Sequence, residues 1–252
     1  MAQIDNRYAH AGPAARTDVA VDEGLRAYML RVYNYMASGV ALTGIVAYVV
    51  SSAAVGVSPT GGKALTAFGQ LIYTSPLKWV IMLAPLGFVF FLSARVDRMS
   101  ASAAQIAFWA FAAVMGLSLS SIFLVYTGQS ITQVFFVTAA AFGALSLYGY
   151  TTKKDLSGWG SFLIMGVFGI IIAALVNIFL QSSALQFAIS VIGVLVFAGL
   201  TAYDTQRIKD GYYAVMDNAA ALTKGAIMGA LSLYLDFINM FVMLLSLFGN
   251  RE

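Results

Sequence analysis

Seven long apolar stretches, parted by short polar breaks, occupy most of the chain: 28–52, 78–94, 103–126, 131–150, 160–180, 184–206 and 225–248. Each is continuously apolar, whereas the strands of a transmembrane barrel alternate over about 10 residues. The pattern therefore predicts helices, and most of the stretches reach across a hydrocarbon core at about 1.5 Å per residue. The second is the shortest and carries Pro85 inside it, so a kink is expected there. Gly225 and Gly229 form a small-xxx-small pair, which lets helix backbones approach closely within one bundle. The expected fold is an all-α integral membrane protein: a seven-transmembrane-helix bundle over residues 26–252, behind a polar segment, residues 1–25.

Composition agrees with that pattern. Hydrophobic residues make up 60% of the chain and charged residues 10%, against about 25% charged in a soluble domain. There are 0 cysteines, which excludes disulfides, thiolate metal sites and cysteine nucleophiles. The single histidine, His10, lies in the polar N-terminal segment, where neither a metal site nor a Ser-His pair is expected. Residues 1–25 hold no apolar run, so they predict a disordered cytoplasmic tail and not a cleavable signal peptide.

The charges set an orientation. On one side lie Arg7, Arg16, Arg26, Arg31, Arg95, Arg98, Lys153, Lys154, Arg207, Lys209 and Lys224. The other side has only Lys63, Lys78 and Arg251. The positive-inside rule then places the N-terminus in the cytoplasm, and an odd number of spans places the C-terminus outside. Trp79, Tyr126, Tyr148 and Trp159 fall at span ends and read as interfacial anchors. The segment SPTGGK at 58–63 has the wrong spacing for a phosphate loop and reads as a turn.

Of the 11 acidic residues, two fall inside spans: Asp204 in FAGLTAYDTQ and Asp236 in LSLYLDFINMF. A carboxylate at the bilayer centre costs at least about 3 kcal/mol on insertion scales. Asp236 is the deeper of the two, and Asn239, three residues on, offers an amide on the same helix face. Asp204 is shallower, three residues before Arg207, and also reads as an interfacial carboxylate paired with a basic neighbour. For Asp236 the plainer alternative is a structural interhelical hydrogen bond. Straight helices would leave the two about 10 Å apart in depth, and tilt or a longer seventh helix would bring them together.

At these residues the chain resembles the Bax inhibitor-1 family, the transmembrane Bax-inhibitor-motif proteins, in its bacterial branch. The segments that carry the likeness run from about Leu25 onward: RVYNYMASGVALTG, SPLKWVIMLAP, FFLSARVDRMS, GLSLSSIFLVYTGQSI, SLYGYTTKKDLS, LVNIFL, LTAYDTQ and LYLDFINMF. The resemblance implies seven helices with the seventh at the centre, and a location in the bacterial inner membrane. It implies a pH-sensitive calcium leak whose paired-aspartate sensor falls on Asp204 and Asp236. It also implies an arginine latch at the end of helix two, on Arg95 or Arg98. Two carboxylates sharing one site cannot both ionise cheaply, so the pair titrates as a unit. A shared proton would tie helix six to helix seven, and its loss would part them or recruit a cation. Calcium takes oxygen ligands, and Asp204, Asp236 and Asn239 supply some, which fits transient passage. No tightly bound cofactor and no nucleic-acid partner is expected.

Other readings are weaker. An intramembrane aspartyl protease would use Tyr203-Asp204, but Asp236 lies in YLDF and not in GxGD, and no Pro-Ala-Leu motif follows. A retinal protein needs a lysine inside a span, and a rhomboid protease needs an intramembrane histidine. No enzymatic chemistry is expected. The non-channel alternative is an interaction protein acting on a membrane-anchored ATP-dependent protease or on a stress response, with residues 1–25 as the handle.

Overall fold

The computed structural model describes residues 13–57 and 63–251 of the chain. His10 and the first five residues of the 58–63 turn lie outside them. Helix α1 (Pro13–Ala54) leads into a short antiparallel ribbon, β1 (Val55–Val57) with β2 (Lys63–Leu65), in which Val55 faces Leu65. Then follow α2 (Ala67–Tyr73), α3 (Leu77–Arg95), a 3-10 turn (Val96–Arg98), α4 (Ala101–Leu119) and α5 (Ile122–Val125). The chain ends with α6 (Gly128–Thr151), α7 (Ser157–Leu180), α8 (Ser183–Val215) and α9 (Ala219–Phe248). Among the described residues, 7 helical segments are long and apolar enough to cross a membrane, with α4 and α5 together forming the third.

Polar caps explain where the helices start. Ser100 accepts from the Ala103 amide to open α4, Thr127 from Ser130 to open α6, and Ser182 from Leu185 to open α8. Asn218 accepts from the amides of Ala220 and Ala221 and so opens α9 at Ala219. That start precedes the expected 225, and α8 runs past the expected 206 to Val215. The last two helices therefore form a long hairpin. At the other end of the chain, α1 begins at Pro13, within the stretch assigned to the tail. α3 continues through Pro85.

Burial ranks the spans. Of the most apolar window of α9, 56% is buried inside the protein, against 11% for α3 and for α7. α9 packs on α8, α1, α6 and α4, whereas α7 packs on α8, and α3 on α4 and α2. Tyr234 fixes one face of α9: its hydroxyl is 2.6 Å from Thr43 Oγ1, and its ring meets Phe108 and Phe111 edge-on. Thr43 in turn donates to the Ala112 carbonyl, which ties α1, α4 and α9 together. Residues two apart on a helix point to nearly opposite sides, so Asp236 faces away from this apolar anchor. Many outward side chains, such as Trp79, Tyr148 and Trp159, are exposed apolar groups suited to lipid contact.

Candidate functional site

The α8–α9 hairpin closes tightly because α9 presents small residues along one face. A Cβ on Gly229 would come within 3.0–3.2 Å of the Ile208 side chain, and one on Gly225 within 3.1 Å of Tyr28 Oη. Beside this contact lies a cavity of about 210 Å³, walled by Tyr28, Asp204, Arg207, Gly225, Gly229 and Ser232. The small-residue pair thus shapes a cavity wall as well as a packing face.

Asp204 stands on that wall, 9% exposed. Its Oδ1 lies 3.6 Å from Arg207 Nη1, one turn along α8, and the arginine side chain is 67% exposed. So open a cation offers only weak, salt-screened compensation. Asp236 is 4% exposed, and its Oδ2 has no hydrogen-bond partner among the described residues. Ser232, which lines the cavity, precedes Asp236 by one helical turn, about 6 Å at the α-helical rise. A cavity, a carboxyl on its wall and a second carboxyl one turn beyond its Ser232 lie along the α8–α9 seam.

Neighbouring residues hold Asp204 in that orientation. Thr205 donates to the Thr201 carbonyl, and its hydroxyl lies 2.9 Å from Ser146 Oγ, which lies 2.6 Å from Tyr33 Oη. Gln206 Nε2 donates to the Lys154 carbonyl, and its Oε1 accepts from the Leu156 amide. A Cβ on Gly149 would fall 2.2 Å from the Ala202 carbonyl oxygen, so α6 and α8 meet backbone to backbone. These positioning residues were not singled out in the sequence. Their signal is faint: hydroxyls four apart at Thr201 and Thr205, and single polar residues at Tyr33 and Ser146 inside apolar spans.

The other expected members lie apart from the pair. Asn239 donates its amide to the Leu235 carbonyl of its own helix at 2.8 Å. Arg95 ends α3 and Arg98 ends the 3-10 turn, both exposed, and neither forms an ion pair with Asp204 or Asp236. The arginine at the aspartate is Arg207. Among the described residues no group of three or more His, Cys, Asp or Glu side chains gathers as a metal site. Oxygen ligands for a passing cation would come from Asp204, Asp236 and the Ser232 hydroxyl.

Comparison with known proteins agrees with the architecture. The family model described as "Inhibitor of apoptosis-promoting Bax1" matches residues 25–252. An uncharacterized protein of Caulobacter vibrioides is 47% identical over 255 residues, covering 100% of both chains. Inner membrane protein YbhL of Escherichia coli is 46% identical over 243 residues, covering 95% of this chain and 98% of its own. Uncharacterized protein RP147 of Rickettsia prowazekii is 48% identical over 231 residues, 92% of each. With seven helical segments long and apolar enough to cross a membrane among the described residues, and a match from Leu25 to the last residue, the chain belongs to the Bax inhibitor family of membrane proteins.

Proposed function

We propose that this protein is a pH-sensitive calcium (cation) leak of the inner membrane, gated by Asp204 and Asp236. The observation that carries the reading is the buried Asp236 Oδ2 without a partner, one turn beyond a cavity whose wall is Asp204. Incompletely paired carboxyl groups are rare within membranes because they are costly, and they mark ion and proton pathways. One proton held between the two carboxyls keeps α8 against α9. Its loss puts two negative charges in a poorly solvated seam, which parts the helices or draws in a cation. No covalent step is involved. The N-terminus lies in the cytoplasm on this reading, so the cavity at Asp204 samples cytoplasmic pH.

The test is calcium flux into proteoliposomes across pH 5 to 8, comparing the native protein with Asp204→Asn and Asp236→Asn. Native flux should rise with pH, and each variant should lose at least most of that dependence. If both variants keep native flux and native pH response, the sensor assignment is wrong. The alternative role, binding a membrane-anchored ATP-dependent protease or stress regulator through the N-terminal segment, is separable. Removing that segment should then abolish partner binding and leave flux intact.

A further inference from the structure

A larger cavity, about 470 Å³, opens between α1 and α6. α6 packs on α8 and α9, and α1 on α4 and α9, so the two walls stand side by side without closing on each other. Gly143 faces open space between them, since a Cβ there would meet nothing within 4 Å. The walls are almost wholly apolar, and Leu30 and Leu147 are 52% and 63% exposed, which opens the groove laterally toward lipid. Its floor is the Tyr33–Ser146 hydroxyl pair.

One end of the groove is basic. Arg26 and Tyr150 line it there, and Lys209 Nζ donates to the Tyr150 carbonyl at 3.0 Å while lying 5.9 Å from the ring centre. An ammonium has three donors, so two remain for another acceptor. A guanidinium fits a phosphate through paired N–H groups. Lys153 and Lys154 follow the end of α6 and are exposed. An apolar slot open to the bilayer, ending in cations at headgroup depth, matches a molecule with an apolar tail and an anionic head.

We infer that the α1–α6 groove binds one anionic phospholipid, with an acyl chain along the walls and the headgroup phosphate on Arg26 and Lys209. The site is independent of the proposed ion leak. It touches the same framework at one point, because Ser146 also meets Thr205 beside Asp204.

Native mass spectrometry of the full chain, delipidated in neutral detergent and titrated with phosphatidylglycerol or phosphatidylcholine, tests this. The native protein should retain one phosphatidylglycerol about tenfold more tightly than phosphatidylcholine, and Arg26→Gln with Lys209→Gln should erase that preference. Gly143→Leu puts a side chain into the slot, its Cβ with nothing within 4 Å, and should weaken both lipids. Equal retention of the two lipids by the native protein, or native behaviour in both variants, overturns the assignment. Should the double variant fail to fold, a second measurement decides. The chain has 0 cysteines, so a fluorophore on Leu147→Cys reports the groove alone. Stronger quenching by brominated phosphatidylglycerol than by brominated phosphatidylcholine supports the site, and equal quenching rejects it.

Discussion

The seam between α8 and α9 has two polar regions, one at an end and one toward the middle, and the two are satisfied in different ways. Near Ser182, Gln186 Nε2 reaches Ser190 and Ser246 at 3.5 and 3.4 Å, and Ser190 donates to the Gln186 carbonyl at 3.0 Å. Asn177 of α7 donates to Gln186 Oε1, and its own oxygen accepts from the Ser182 amide. These groups are neutral, and each has a partner. Farther along, toward the middle of both helices, the seam holds two carboxyls, one facing an exposed arginine and the other with an oxygen left bare. A neutral, closed network joins helices at small cost. An incompletely paired carboxyl in the same seam opposes folding, so its presence calls for a role other than adhesion.

The comparison makes opposite predictions for the two regions. Asp236→Leu removes a buried oxygen without a partner and should raise stability by about 1–3 kcal/mol, read by reversible unfolding in mixed micelles. A loss of stability would mean that the carboxyl is as structural as Gln186. Ser190→Ala, in the satisfied region, should lower stability by about 1 kcal/mol, because it leaves Ser246 and Gln186 short of a partner. If both substitutions shift stability in the same direction, the two regions do not differ as described.

Arg207→Gln probes the same seam more gently. The pair it removes spans 3.6 Å with the arginine 67% exposed, so the expected loss is under about 1 kcal/mol. High salt should bring variant and native protein together, since exposed pairs are screened beyond about 3 Å at 1 M ionic strength. A loss that survives high salt would make Arg207 an integral partner of the buried pair.

Much of this was legible in the sequence, for particular reasons. Span number follows from apolar length, and Asp236 stands out because a carboxylate within LYLDFIN is costly wherever it points. The meeting of Asp204 with α9 was not legible, because it depends on helix ends. Hydropathy alone starts the last helix near Gly225, whereas the Asn218 cap starts it at Ala219 and lengthens the hairpin. Arg207 was legible as a neighbour of Asp204 through its three-residue spacing, while the orientation of Arg95 depends on the packing of α3, which the sequence does not specify. Asn239 shares a helix face with Asp236, yet its amide binds the nearer Leu235 carbonyl, a choice open to any helical asparagine. The brace of Tyr33, Ser146 and Thr205 joins three helices and leaves only a faint local signal.

A third carboxylate shows what the same group does in water, and its effect should be the smallest. Asp155 is fully exposed before α7, and its Oδ1 accepts from the Ser157 amide at 2.8 Å. That hydrogen bonding at Ser157 holds its carboxyl below the ordinary value of 3.8. Hydrogen bonds to the charged form favour that form, so the contribution is present above the unfolded value and is lost as pH falls through the folded one. Asp155→Ala should therefore lower the thermal midpoint slightly at neutral pH, and the difference should vanish as pH falls below the folded-state value. Asp155→Asn keeps an acceptor at the start of α7 and should recover part of the loss. A midpoint difference that persists undiminished into acid would show that the side chain acts there without its charge. The contrast between a carboxylate stabilised in water and one stranded in the seam would then have to rest on Asp236 alone.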